Sequence, residues 1–214
     1  GMGDALSTYF EARATHNSYS RVNASLPIGS REGLTEPAIG TYAALALAEL
    51  CWTNLKADGL QAKIACEANL VTEAFNKIIE TNILLSGLGF ESGGLAAAHA
   101  IHNGMTVLAG THHYLHGEKV AFATIVQLVM EDAAKSELEA VMDFCASVGL
   151  PLTLADLGVI EISFEEALGV AKIACIPEES IHSMPFPISE EAVANALIVA
   201  DRIGQDYKTR NGLA

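Results

Sequence analysis

Apolar positions recur at helical intervals along most of this chain, and no stretch shows the strict alternation of a half-buried strand. In Met2–Ala14, Leu6, Phe10 and Arg13 fall on one stripe and Ala5, Tyr9 and Ala12 on another, which predicts a helix. Asp4 lies in its first turn, where a carboxylate suits the positive end of the helix dipole. His16–Gly40 is rich in Asn, Ser, Gly and Pro, and reads as a long surface loop with His16 solvated. Ile39–Asp58 predicts a strong helix that buries Ala43, Leu47, Leu50 and Leu55 and ends near Gly59. Gln61–Ser86 holds one or two further helices, with Ile64, Leu70, Ala74, Ile78 and Leu85 at helical spacings. Gly87–Gly94, GLGFESGG, reads as a break. Its glycines allow a turn and a close backbone approach, and Ser92 is placed to cap the next helix.

The second half continues in the same way. A helix runs from Leu95 to about Thr106, and Val107–Thr111 links it to another that starts near His112 or His113 and reaches about Ala134. Lys135–Ser147 is amphipathic, with Leu138, Val141, Met142 and Cys145 inward, and Gly149-Leu150-Pro151 stops it. Leu154–Val159 is short enough for a single turn. Ser163–Cys175 opens on a capping box from Ser163 to Glu166. Ile176–Pro187 is irregular and carries His182, which reads as a local hydrogen-bonding residue. The last helix opens at Ser189-Glu190-Glu191, places Ala192, Ala196, Val199 and Ile203 on one side, and frays after Tyr207. The class is all-α, with eight or more helices in one bundle-like domain spanning residues 1–214.

Composition narrows the partners. Half of the residues are hydrophobic, enough for a substantial core, yet no apolar run reaches the ~18 residues of a membrane span. Nothing near the N-terminus has the pattern of a signal peptide. A formal charge of −14, with the 12 basic residues scattered, argues against nucleic acid and against an anionic membrane surface. Cys51, Cys66, Cys145 and Cys175 form no CxxC pair and read as buried thiols of a reducing compartment, which points to the cytoplasm. Gly1 before Met2 reads either as the scar of a cleaved tag or as the interior of a longer chain.

The candidate chemistry is concentrated in Glu91–Lys119, ESGGLAAAHAIHNGMTVLAGTHHYLHGEK. Five of the seven histidines lie here: His99, His102, His112, His113 and His116. His99 and His102 share a helix face, as do His113 and His116, and two helices on a short link can bring such faces together. Three ligands drawn from histidine and carboxylate, with an open position, suit catalytic zinc, and nitrogen–oxygen sets also suit Fe²⁺ or Mn²⁺. The competing reading is a group of core or cap histidines. Glu49, Glu91 and Glu118 are candidates for supporting partners. Spacing alone does not choose between His99 and His102.

GFESGGLAAAHAIHNGMT followed by HHYLHGEKVAFATIVQLV resembles the zinc-binding region of the glycerol dehydrogenases, among the group-III, "iron-containing" alcohol dehydrogenases. GMGDALSTYFEARA, TYAALALAELCWTNL and SIHSMPFPISEEAVANALIVAD are similar to other helices of that family's C-terminal domain, so the resemblance covers nearly the whole chain. It implies a dehydroquinate synthase-like C-terminal α-domain and a divalent metal, Zn²⁺ with Fe²⁺ as the other candidate. By this resemblance Asp4, His99 and His116 are the metal ligands, His102 is a catalytic-site residue beside the metal or nicotinamide, and Phe90 is close to the substrate.

The implied reaction is NAD-dependent oxidation of glycerol to dihydroxyacetone by a cytoplasmic oxidoreductase that forms homo-oligomers. Two departures accompany it. The His16–Gly40 loop is longer than the family pattern, and the chain begins where the family's second domain begins. The N-terminal dinucleotide-binding domain is therefore expected to be absent, so that NAD enters only if that domain is supplied, for example by a separate nucleotide-binding chain. The alternative is a free-standing truncated helical protein that binds metal or self-associates without catalysis. An unrelated metal-dependent hydrolase ranks below both, because no motif places a general base.

Overall fold

The computed structural model describes residues 1–22 and 38–213. Among these the chain is all-α, and its only β feature is an isolated bridge between Arg21 and Ile39. The structure falls into two compact units, one of residues 1–96 and 183–187 and the other of residues 97–182 and 188–214. No helix is long and apolar enough to cross a membrane among the described residues. Most of the predicted 16–40 loop lies outside the described residues.

The first unit is built from α1 (Met2–Asn17), α2 (Tyr42–Glu67), α3 (Glu73–Glu80), a π-helical turn at Thr81–Leu85, and α4 (Ser86–Gly93). α1 reaches beyond the predicted end and takes His16 into its last turn. The imidazole is half-buried against Tyr42, with ring centroids 4.9 Å apart, rather than solvated in a loop. Thr41 caps α2 by accepting from the Ala44 amide (3.1 Å). α2 runs through Gly59 and stops at Asn69, whose φ of 56° places it in the left-handed region. There the Leu70 amide donates to Ala65 O (2.9 Å) and the Asn69 amide to Cys66 O (3.0 Å), a Schellman closure. The penalty for a glycine in mid-helix is only about 1 kcal/mol. Gly59 lies on the buried face of α2, where packing absorbs that penalty, so it was a weaker stop signal than the asparagine beyond it.

The buried face of α2 also differs from the prediction. It consists of Ala44, Ala48, Cys51, Trp52, Leu55, Gly59 and Ala62, while Leu50 is 42% exposed and Ala43 is exposed. Ile64 and Leu70 likewise face outward, and of the predicted positions that follow, Ile78 and Leu85 are buried. Small residues turn inward because neighbouring helices come close, which the glycine-rich stretch explains. Gly87–Gly93 does not break the chain; it is helical. A Cβ at Gly89 would lie 2.6 Å from Thr8 Cγ2 and 3.3 Å from Ala48 Cβ, and one at Gly93 would lie 2.7 Å from Ala12 Cβ. These glycines let α4 approach α1 and α2 at backbone distance. Only Gly94, at φ 92°, turns the chain. Ser92 lies within α4 rather than capping the next helix, and the Ala96 amide is met by the buried Glu11 carboxylate (2.9 Å).

The second unit contains α5 (Ala97–Met105), a 3₁₀ turn at Ala109–His113, α6 (His116–Met130), α7 (Lys135–Val148), a 3₁₀ turn at Ala155–Leu157, α8 (Phe164–Ala174), a 3₁₀ turn at Ser180–Ser183, and α9 (Glu190–Asn211). α6 is the central element. From Val120 to Leu128 every residue is buried, including Thr124 and Gln127, as befits a helix apolar on all sides. It starts at His116, later than predicted, because the Glu118 carboxylate accepts from the Leu115 amide (2.7 Å) and fixes the helix entry there. α8 begins on the predicted capping box, with the Ser163 amide donating to Glu166 (2.9 Å) and the Glu166 amide to Ser163 Oγ (3.2 Å). α7 ends on left-handed Gly149, as predicted.

α9 does not fray at Tyr207. That side chain is buried, and its hydroxyl donates to Asp143 (2.6 Å), so the helix continues to Asn211. Its inward face is Val193, Leu197, Ala200, Gly204 and Tyr207, whereas Ala192 and Val199 are exposed. Of the four thiols, Cys51 and Cys145 are buried and Cys175 is partly so; Cys66 is exposed, contrary to the expectation that all are internal.

Candidate metal centre

Three histidines converge within the second unit. α5 carries His99 and His102 one turn apart, and α6 opens with His116. The Ala98 amide at the start of α5 donates to the buried Gln127 side chain of α6 (3.0 Å), which ties the two helices together beside His99. The His99 and His116 ring centroids are 5.3 Å apart, and those of His102 and His116 are 4.3 Å apart in an edge-to-face arrangement. His102 is buried, His99 half-buried and His116 exposed. Ala97, Ala98, Ala100 and Ile101, which flank the histidines along α5, are all inaccessible to solvent.

His102 also has polar partners. Its Nε2 lies 3.2 Å from His116 Nδ1, and its Nδ1 lies 3.1 Å from Asn103 Oδ1. Asn103 Nδ2 in turn donates to both carboxylate oxygens of Glu179, at 3.0 and 3.1 Å. Burial lowers the His102 pKa to about 4, and the neighbouring His116 adds to the effect; the bond to Asn103 opposes it, and Lys119 and His99 push further down. His102 is therefore neutral across the physiological range.

The other candidates lie elsewhere. His112 and His113 are exposed on the 3₁₀ turn, and His112 Nε2 donates to Thr106 O (2.8 Å). His182 Nε2 donates to the backbone oxygens of Ile176 (3.1 Å) and Cys175 (3.3 Å), the local role read from the sequence. Glu118 serves the α6 cap, and Glu49 and Glu91 are exposed. Asp4 and Phe90 belong to the first unit. Asp4 is half-buried in the first turn of α1, where its carbonyl accepts from Ser7 Oγ and Thr8 Oγ1 at 3.0 Å each. Phe90 lies on α4 and is 36% exposed.

Sequence reasoning missed Asn103, Glu179 and Gln127. A lone glutamine inside the apolar run VAFATIVQLV was a usable signal for a buried polar tie. Nothing local marks Glu179, which stands 76 residues from Asn103.

No family model matches the chain. Individual proteins do. The glycerol dehydrogenase of Citrobacter freundii is 47% identical over 210 residues, which is 98% of this chain and 54% of that protein. The crystal structure of a probable glycerol dehydrogenase from Sinorhizobium meliloti 1021 is 43% identical, with a TM-score of 0.86 over 96% of this chain and 54% of that one. The glycerol dehydrogenase of Schizosaccharomyces pombe matches with a TM-score of 0.91 and 37% identity, over all of this chain and 52% of the other. The chain thus spans about half the length of the curated relatives it matches. By sequence identity and fold together, the chain belongs to the glycerol dehydrogenase family and corresponds to its C-terminal part.

Proposed function

We propose that this chain is the metal-holding half of an NAD-dependent glycerol dehydrogenase, with Asp4, His99 and His116 binding a divalent ion, Zn²⁺ in first place and Fe²⁺ as the alternative. The observation that carries the reading is the pairing of His99 and His116 on consecutive helices, their rings 5.3 Å apart beside a third, buried imidazole. The donor set fits the ion: two neutral imidazoles and one carboxylate leave a position open for substrate oxygen. The 47% identity to a glycerol dehydrogenase supports the polyol as substrate class.

Bound Zn²⁺ would supply Lewis acidity toward the hydroxyls of a polyol. The chain's own residues do the rest. His99 and His116 offer neutral nitrogen, and Asp4 adds the negative charge that strengthens cation binding. Of the three imidazoles, only His102 is buried. Phe90 provides an apolar surface for the substrate carbons. The match spans 54% of the Citrobacter freundii glycerol dehydrogenase, and we assign the binding of the nicotinamide nucleotide to the part of the family outside that match. Exposed Leu70, Val71, Ile83 and Leu84 on the first unit support self-association.

The test is zinc stoichiometry and affinity by chelator competition for the wild-type chain, His116→Ala and Asp4→Asn. His116 is exposed, so its removal leaves the helices intact. Zinc binding is expected to collapse in His116→Ala and to weaken in Asp4→Asn. Undiminished affinity in His116→Ala refutes the ligand assignment. NAD⁺ reduction by glycerol, assayed with the chain alone, is expected to be nil.

A further inference from the structure

We propose that the outer face of residues 79–88, in the first unit, is an interface between two copies of this chain that cross on a two-fold axis at Ile83. This rests on the self-association proposed above and gives it a surface and a symmetry.

α3, the π-helical turn and α4 follow one another without a break, so residues 73–93 form one helical segment. Its inner side carries Ile78, Thr81, Leu85, Gly89 and Gly93, turned toward α1 and α2. From Thr81 onward these positions are four residues apart. In an α-helix of 3.6 residues per turn such a row drifts around the axis, and the wider π turn at Thr81–Leu85 offsets the drift. The same offset lines up Ile79, Ile83 and Gly87 on the outer side. All three are exposed, Ile83 by 71%, and exposed Leu84 and Leu88 lie beside them.

Gly87 is unexplained by the chain's own packing. Glycine is disfavoured in a helix interior, and Gly89 and Gly93 are accounted for by Thr8, Ala48 and Ala12. A Cβ at Gly87 would meet nothing within 4 Å. Gly169 is similarly open, but it is half-buried and one turn from Glu165 and Glu166. Gly87 instead forms a gap at the end of an apolar row.

A second copy fits this face by shape and by charge. Ile79 and Gly87 stand equally far on either side of Ile83 in the sequence. A two-fold axis at Ile83 therefore sets Ile79 of each copy into the Gly87 gap of the other, the self-complementarity that an isologous contact requires. The chain carries a formal charge of −14. A basic partner would be drawn to its acidic surface, whereas a second copy, equally acidic, needs a face with little charge. Between Glu80 and Glu91 the sequence TNILLSGLGF has no charged residue, in a chain with 26 acidic ones. Four exposed large apolar side chains on one helical face make a patch of several hundred Å², and two such patches with their polar rims approach the ~1,000 Å² of a specific interface.

The test is the dimer dissociation constant of the full chain by analytical ultracentrifugation, with circular dichroism to confirm the helices. The wild-type chain is expected to dimerise. Ile83 is exposed, so its replacement leaves the fold intact. Ile83→Glu and Ile83→Lys should each raise Kd at least about 100-fold, because like charges then oppose each other across the axis. An equimolar mixture of the two variants should dimerise again, since residue 83 meets its own copy. Gly87→Leu should weaken the dimer by filling the gap, and Ile160→Glu, at an exposed position of the second unit, should leave Kd unchanged. A wild-type chain that stays monomeric overturns the self-association reading and this interface with it. A chain that associates, but with Ile83→Glu unaffected or with the two charge variants failing to pair when mixed, overturns this interface alone.

Discussion

Replacing Gly104 with alanine adds one methyl group where α5 meets α8. A Cβ at that position would fall on the carbonyl oxygen of Val170, 3.1 Å from its carbonyl carbon and 2.9 Å from its Cγ1. The obstacle is backbone, which cannot rotate away, so the two helices must separate. Overpacking of this kind costs roughly 1–3 kcal/mol, and a backbone clash belongs at the upper end. Alanine recovers about 1 kcal/mol of helix propensity, which leaves a net loss of about 2 kcal/mol. Gly169 on α8 is the control. A methyl group there would meet nothing within 4 Å, so Gly169→Ala should gain about 0.5–1 kcal/mol. For a chain of this length each kcal/mol moves the melting temperature by roughly 2–4 °C. Gly104→Ala should therefore melt about 4–8 °C lower and Gly169→Ala about 1–4 °C higher, followed by circular dichroism of the helices. The first substitution should also disturb the site, since Gly104 follows Asn103 directly. If Gly104→Ala proves as stable as Gly169→Ala, the close approach of α5 and α8 is not what the glycine is for.

Three further outcomes are expected. Glu11→Ala removes the buried acceptor of the Ala96 amide and should cost about 1.5–3 kcal/mol in urea unfolding, the range for a hydrogen bond to a charged group. Burial works against charge on Asp156, but the Lys208 ammonium 2.6 Å away, with the Leu152 amide and Thr153, outweighs it and holds the pKa below the usual 3.8. A depressed carboxylate contributes stability that is present above its unfolded pKa and lost as pH falls through the folded one, so Asp156→Asn should flatten the acid limb of stability below about pH 4 and lower stability above it. Burial pushes the Cys51 and Cys145 thiols up to about 12, so Ellman's reagent should label exposed Cys66 first and reach those two only on unfolding; early labelling of Cys145 would contradict its packing.

Much of the fold was legible because helix periodicity and caps act over a few residues. Ser163 with Glu166 and the stop at Gly149 required no tertiary information. The departures share one cause, which is that packing outweighs local preference when the margin is about 1 kcal/mol. Gly59 continues a helix that its propensity would end. Gly89 and Gly93 sit inside α4 because Thr8, Ala48 and Ala12 occupy the space a side chain would need. The outward turn of Leu50 follows from the same close packing, which favours Ala48 and Cys51 on the buried side.

At the site, the sequence by itself determined the chemistry available: five histidines in a short apolar stretch, the HxxH pair that must share a helix face, and the resemblance that singles out His99 and His116. Tertiary structure decided which imidazoles meet. It turned His112 to a backbone carbonyl, buried His102 behind His116, and drew in Glu179 from 76 residues beyond Asn103. The physical reason is range. Spacing along one helix is set by about 3.6 residues per turn and can be read from the chain. Which face of α5 meets α6 and α8 is set by where Gly104 permits contact and Gln127 needs a partner, and those depend on residues far away in sequence.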